Sequence, residues 1–159
     1  MKNFILLALL GCLCFSCGSP CDDLDCGANG TCDEVTESCI CDDFYEGASC
    51  QTETRARFLG EWSSTSNCTL GNTGNTNPDI TISIGAEINK IVLQSPDIYS
   101  NRLIEVVLSS ENSGDIVEFT PGSTVNGTVS YINESSMIMS MTIVQQSGNV
   151  ITCTYTMTK

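Results

Sequence analysis

Cys21, Cys26, Cys32, Cys39, Cys41 and Cys50 fall within thirty residues, separated by 4, 5, 6, 1 and 8 others. Leu24, Val35, Ile40, Phe44 and Tyr45 are the only large apolar side chains in that stretch. So few cannot bury a self-sufficient core, and disulfides must replace one. Each such bridge stabilises a small domain by ~2–4 kcal/mol, chiefly by restricting the unfolded chain. Spacing alone leaves every pairing of the six open. It still indicates the compartment, since 11 cysteines in 159 residues belong where thiols oxidise. Charge narrows the partners. Nineteen acidic residues against 6 basic ones give a net charge of −13, which repels phosphate, so no nucleic acid is expected to bind. With no His, the chain lacks the commonest general base near neutral pH and the commonest metal ligand.

Residues 4–15 form an almost unbroken apolar run behind a single charge at Lys2. The run is shorter than the ~20 residues a membrane-spanning helix needs and matches the apolar region of a secretory signal. Cys14-Phe15-Ser16-Cys17-Gly18 then sets a small residue directly before a Cys. This resembles a bacterial lipobox, with Cys14 where Leu is usual. The resemblance implies removal of residues 1–16 and lipidation of Cys17, anchoring the chain to a membrane. Leu9-Leu10-Gly11-Cys12 offers Cys12 as an alternative lipidation site, and ordinary cleavage after Gly18 is a further one.

The cysteine intervals, Asn29-Gly30-Thr31-Cys32, the Cys39-x-Cys41 pair and Tyr45-Glu46-Gly47 ahead of Cys50 resemble an EGF-like module, placed over residues 17–50 with its lipid anchor. The resemblance implies pairing of first with third, second with fourth and fifth with sixth, hence Cys21–Cys32, Cys26–Cys39 and Cys41–Cys50. Asn29-Gly30 reads as a tight turn before a short hairpin. Nine carboxylates lie between Asp22 and Glu46 with no base among them. Calcium-binding modules of this kind carry an acid just before the first Cys, where this chain has Gly18-Ser19-Pro20. A solvated anionic face, with no metal and no cofactor, is the expectation.

Residues 51–57 are polar and Cys-free and read as a linker. From Phe58 to Lys159 period-2 runs alternate with Gly, Pro and Asn breaks. Strands are expected over Gly60–Thr69, Asp79–Ala86, Glu87–Gln94, Arg102–Ser109, Asp115–Thr120, Thr124–Ile132, Ser136–Gln146 and Val150–Thr158. Eight short strands with no helical stripe mean an all-β fold, a sandwich or an antiparallel up-and-down barrel. Gly60-Glu61-Trp62 resembles the Gly-x-Trp start of lipocalin-like barrels, in which the Trp closes the base. That likeness extends to the small lipocalin-like domains of Bacteroidetes lipoproteins. Cys68 and Cys153 lie on the first and last strands, which neighbour one another only if the sheet closes or folds into a sandwich. Alternation directs Ile80, Ile82, Ile84, Tyr131 and Tyr155 inward. The sequence also puts three methionines, Met137, Met139 and Met141, on one face of a strand.

A lumen lined by Trp62, Tyr131, Met137, Met139, Met141 and Tyr155 would suit a small apolar ligand, Met being adaptable. A solid core of the same residues is the other reading. No Gly-x-Ser-x-Gly or phosphate loop occurs, and the strand acids Glu105 and Glu118 read as outward-facing. The expected protein is thus not an enzyme. It is a lipid-anchored binding module of the bacterial outer membrane, at the cell surface rather than the periplasmic face given Asp22 and Asp23, with a protein or glycan partner.

Overall fold

The computed structural model describes residues 19–69, 79–94, 103–120 and 122–159. The signal segment, Cys12 and Cys17 lie outside them. Two compact units interleave along the chain: residues 19–42 with Gly47–Gln51, and Asp43–Glu46 with Thr52–Lys159.

In the first unit a 3-10 turn, Gly27–Asn29, leads into a hairpin of β1 (Gly30–Asp33) and β2 (Ser38–Cys41), in register from Gly30 opposite Cys41 to Asp33 opposite Ser38. Disulfides join Cys21 to Cys32, Cys26 to Cys39 and Cys41 to Cys50. Cys26 and Cys50 are the buried apolar residues of this unit among those described, while Val35 is 90% exposed. Its interior is therefore sulfur rather than hydrocarbon, as so small an apolar inventory requires. Asn29-Gly30 is not the turn: Gly30 is extended and opens β1. Gly is needed there for close approach, because a Cβ would stand 2.5 Å from the Cys50 Sγ. The hairpin instead turns after Asp33, whose carboxylate accepts hydrogen bonds from the Thr36 hydroxyl (2.6 Å) and the Val35 amide (3.0 Å). Those two bonds, the hydroxyl first, hold the Asp33 carboxyl below its ordinary pKa.

The second unit begins with β3 (Tyr45–Glu46) paired to β4 (Thr52–Glu53), then a 3-10 helix, Thr54–Arg57. The stretch read as a linker is thus built into the unit, and the boundary drawn at residue 50 is crossed by this pairing. Arg55 explains why. Its buried guanidinium donates through Nη1 to the carbonyls of Glu87 (2.8 Å) and Gly85 (3.2 Å) and through Nε to Glu53 (2.7 Å). A charge leaves water only when so paired.

Eight strands follow: β5 (Gly60–Cys68), β6 (Asp79–Ile84), β7 (Lys90–Gln94), β8 (Leu103–Ser110), β9 (Ser113–Thr120), β10 (Ser123–Asn133), β11 (Ser136–Gln145) and β12 (Val150–Thr158). They form a closed antiparallel barrel in which sequence neighbours pair and β12 returns to β5. The expected strands all form, with ends displaced by a few residues. Closure selects the barrel over the sandwich. Cys68 and Cys153 are direct cross-strand partners at the seam and are disulfide-bonded. Inward positions alternate as period-2 patterning requires. Ile80, Ile82, Ile104, Val106, Leu108, Val125 and Val129 are all buried, whereas Ile84, at the end of β6, is 61% exposed. Gly127 faces inward between Val125 and Val129, where a Cβ would collide with the Ser140 carbonyl of β11.

The bridge spans a sequence separation of 85, which the chain-entropy account values at roughly 4–5 kcal/mol. Replacing Cys68 and Cys153 together by Ala is expected to lower unfolding free energy by up to about that amount. Urea titration of both proteins checks it, and an unchanged midpoint would refute the seam's role.

Candidate functional site

Among the described residues, the barrel has a closed end and an open end. At the closed end β5 starts under Phe58, which is fully buried, as is Trp62. The Trp62 indole N–H donates to the Phe58 carbonyl at 2.8 Å, and the Lys159 ammonium lies 4.4 Å from the indole centroid while donating to the Leu59 carbonyl at 2.8 Å. Tyr131 packs on Phe58 at 5.6 Å between centroids and carries the Arg57 guanidinium 5.5 Å above its ring. Arg57 also pairs with Glu46 and donates to Asn112.

The middle of the barrel is solid. Met137 and Met139 expose none of their surface, Met141 exposes 1%, and Ile80, Ile91, Val106, Val125, Val129 and Met157 expose none. Side chains lining a lumen wide enough for water would expose area to it; these do not. Of the six residues proposed as ligand contacts, Trp62 and Tyr131 stand at the closed end and the three methionines in this packed middle. Tyr155, 7% exposed, stands directly opposite Met139 in the same middle, while Ile143 and its partner Ile151 lie toward the open end. Burial pushes the Tyr155 phenol above its ordinary pKa of 10.0.

Glu118 was not legible as part of the interior. Its cross-strand partner is Val125, which is fully buried, so Glu118 faces inward and is half-buried rather than outward. Residues 116–118 read Ile-Val-Glu, and the barrel takes Ile116 inside and leaves Val117 61% exposed. No signal in a strand apolar on both faces could have made that choice. Among the described residues, no group of three His, Cys, Asp or Glu side chains could hold a metal ion.

The outer wall divides by charge. On β7 and β8, Lys90 pairs with Glu87 (3.0 Å) and Glu105 (3.1 Å), which raise its pKa, Glu87 most. The half formed by β10, β11, β12 and β5 differs. Its cross-strand rows run Ser130, Ile138, Thr156, Thr65 and, two residues along, Thr128, Ser140, Thr154, Asn67. The next row begins Asn126, Thr142, Thr152, with the last two hydroxyls 3.4 Å apart. None of these side chains is charged or aromatic. Two open clefts of about 280 and 270 Å³ indent this wall where β5 meets β12, sharing Ser63 and Thr158. The first adds Thr65 and Thr156, the second the rim groups Glu61, Asp79 and Lys159.

Tyr155 yields a pH signature. A phenol whose folded pKa is raised stabilises the fold below its unfolded pKa and loses that contribution as pH rises through the folded value. Melting temperature is therefore expected to fall above about pH 10, and less steeply in Tyr155→Phe. Parallel slopes for the two proteins would contradict this.

No family model matches the chain, and neither does any curated protein. Among solved structures it is similar to an S-type phycobiliprotein lyase from Guillardia theta, with 14% identity and a TM-score of 0.41 over 65% of this chain and 89% of that one. It is also similar to a protein of unknown function from Bacteroides ovatus, with 11% identity and a TM-score of 0.41. That match covers 62% of this chain but only 40% of the other.

Proposed function

We propose that this chain is a bacterial envelope lipoprotein, acylated at Cys17, whose barrel is a non-catalytic binding module and whose EGF-like N-terminal unit is a spacer. The observation that carries the binding assignment is the contrast between the two sides of the barrel wall. Inside, Phe58 and Trp62 at the closed end and Met137, Met139 and Met141 in the middle leave almost no accessible surface. Outside, one cleft is lined by Ser and Thr alone, and the cleft beside it adds Glu61, Asp79 and Lys159. Recognition therefore belongs to the exterior. The spacer reading is supported by the disulfide pairs Cys21–Cys32, Cys26–Cys39 and Cys41–Cys50, which follow the order that the EGF-like resemblance implies. Asp22 and Asp23, close behind Cys17, favour the outer face of the outer membrane. The lack of His and of any nucleophile motif supports a protein that binds without turnover.

One observation favours carriage of a small apolar ligand instead. Exposure rises toward the open end, where Ile143 reaches 9% and Ile151 is only partly buried, and Glu118 faces in. A ligand there would occupy a shallow mouth rather than a deep lumen. Native mass spectrometry of the detergent-extracted protein separates the two readings. The binding module is expected at the mass of residues 17–159 plus its acyl groups and nothing more, whereas a co-purifying apolar molecule would move the site into the barrel. Labelled palmitate is expected to enter the wild-type chain and not Cys17→Ala; label retained by that variant would discard the anchor site.

A further inference from the structure

We propose that the wall formed by β10, β11, β12 and β5 is a carbohydrate-binding face, and that the cleft between β5 and β12 takes a neutral sugar of a polysaccharide. The assignment rests on the binding-module reading and names its ligand class and its place.

Charge comes first. A chain of net −13 places no charged side chain in the three rows from Ser130 to Thr152, although Glu105 and Lys90 stand on the opposite wall. Surfaces that only need to stay soluble mix both signs throughout. An anionic polymer or a second copy of this chain would be repelled by the molecule as a whole. A protein partner would seek the aromatic and Arg anchors that dominate such interfaces, and these rows contain none. An uncharged polymer fits these rows, in which Ile138 is the one apolar side chain.

The functional groups agree. Strands ~4.8 Å apart, with alternate residues ~6.7 Å apart along each, set out hydroxyls in a regular grid. Each Ser or Thr hydroxyl both donates and accepts, as each sugar hydroxyl does. Within the cleft, the Thr65, Thr156 and Thr158 hydroxyls make no hydrogen bond among the described residues. Their capacity is available to a ligand. The rim supplies stronger groups: Glu61 and Asp79 accept, Asp79 lying 3.3 Å from the Ser63 hydroxyl. Lys159 donates from a position held by the Leu59 carbonyl and the Trp62 ring.

The test is affinity electrophoresis of the full-length, detergent-solubilised protein in native gels containing dextran, a soluble β-1,3-glucan or galactomannan, with polygalacturonate as the anionic control. At least one neutral polymer is expected to retard the protein, and polygalacturonate is not. Thr156→Asp places a charge in the cleft and is expected to weaken retardation by roughly tenfold, the worth of about one hydrogen bond with its desolvation, while Thr156→Ser keeps it. Thr65→Asp serves the same purpose should Thr156→Asp fail to fold, as judged by its melting curve. Retardation that survives a folded Asp variant removes the cleft and leaves the binding module standing. Equal retardation by polygalacturonate overturns the neutral class. No retardation by any neutral polymer overturns the glycan assignment, and a co-purified apolar molecule alongside it would remove the exterior binding reading too.

Discussion

Everything in the larger unit depends on the seam between β5 and β12. The other seven pairings join strands that follow one another in sequence, so each closes a short loop at small entropic cost. The seam alone brings together the two ends of the unit. Until it forms, β5 and β12 are edges with free backbone donors and acceptors, the condition that invites wrong pairing. Ser63–Cys68 of β5 meets Cys153–Thr158 of β12, and the disulfide lies in the first pair of that register. Once closed, the sheet has no edge at all. Its inner face then becomes a core, because the side chains of opposing strands converge on one axis.

The seam also determines what the two barrel ends do. β5 is shared: Gly60–Ser63 pairs with β6, and Ser63–Cys68 with β12. At its start the strand carries Trp62 inward beneath Phe58, and Lys159 at the end of β12 arrives over the same indole. The closed end is therefore sealed from both termini of the barrel. Arg55 completes it by binding the carbonyls of the turn between β6 and β7. Nothing comparable crosses the open end among the described residues, which is where Ile143 retains some exposure and Ile151 is only partly buried.

Much of this was legible because strand alternation is strict wherever polar and apolar residues segregate. β11 reads Ser-Met-Ile-Met-Ser-Met-Thr-Ile from Ser136, and its inward set follows at once. The places of Cys68 and Cys153 on the first and last strands likewise pointed to a seam that brings those strands together. Alternation was silent where both faces are apolar, and Glu118 on β9 is the result: Ile116 inside and Val117 outside could have been exchanged without changing the pattern. Arg55 was missed for another reason. A polar run containing an Arg resembles a linker until the carbonyls that desolvate it are known, and those lie some thirty residues away in sequence. Asn29-Gly30 was misread because its Gly serves close packing against Cys50 rather than a positive φ. All six residues expected to meet a ligand do face inward, yet that says nothing about volume. Periodicity gives the direction of a side chain, and only packing decides whether space remains beyond it.

Net charge, the bulk feature that bears most directly on partners, is unevenly distributed. Nine of the 19 acids lie between Asp22 and Glu46, and the remainder in the described barrel lie at turns, rims or the β7–β9 side. A mean charge describes the long-range field, which steers and repels over a Debye length of ~8 Å in physiological salt. It does not describe the surface that a ligand touches. Along the rows from Ser130 to Thr152 that surface is neutral, and contact there costs no desolvation of ions, the largest penalty polar recognition ordinarily meets. On the proposed reading the acidic field and the hydroxyl wall are complementary devices: one keeps anionic polymers and other copies at a distance, and the other offers a face on which uncharged hydroxyl groups would exchange water for protein at little cost.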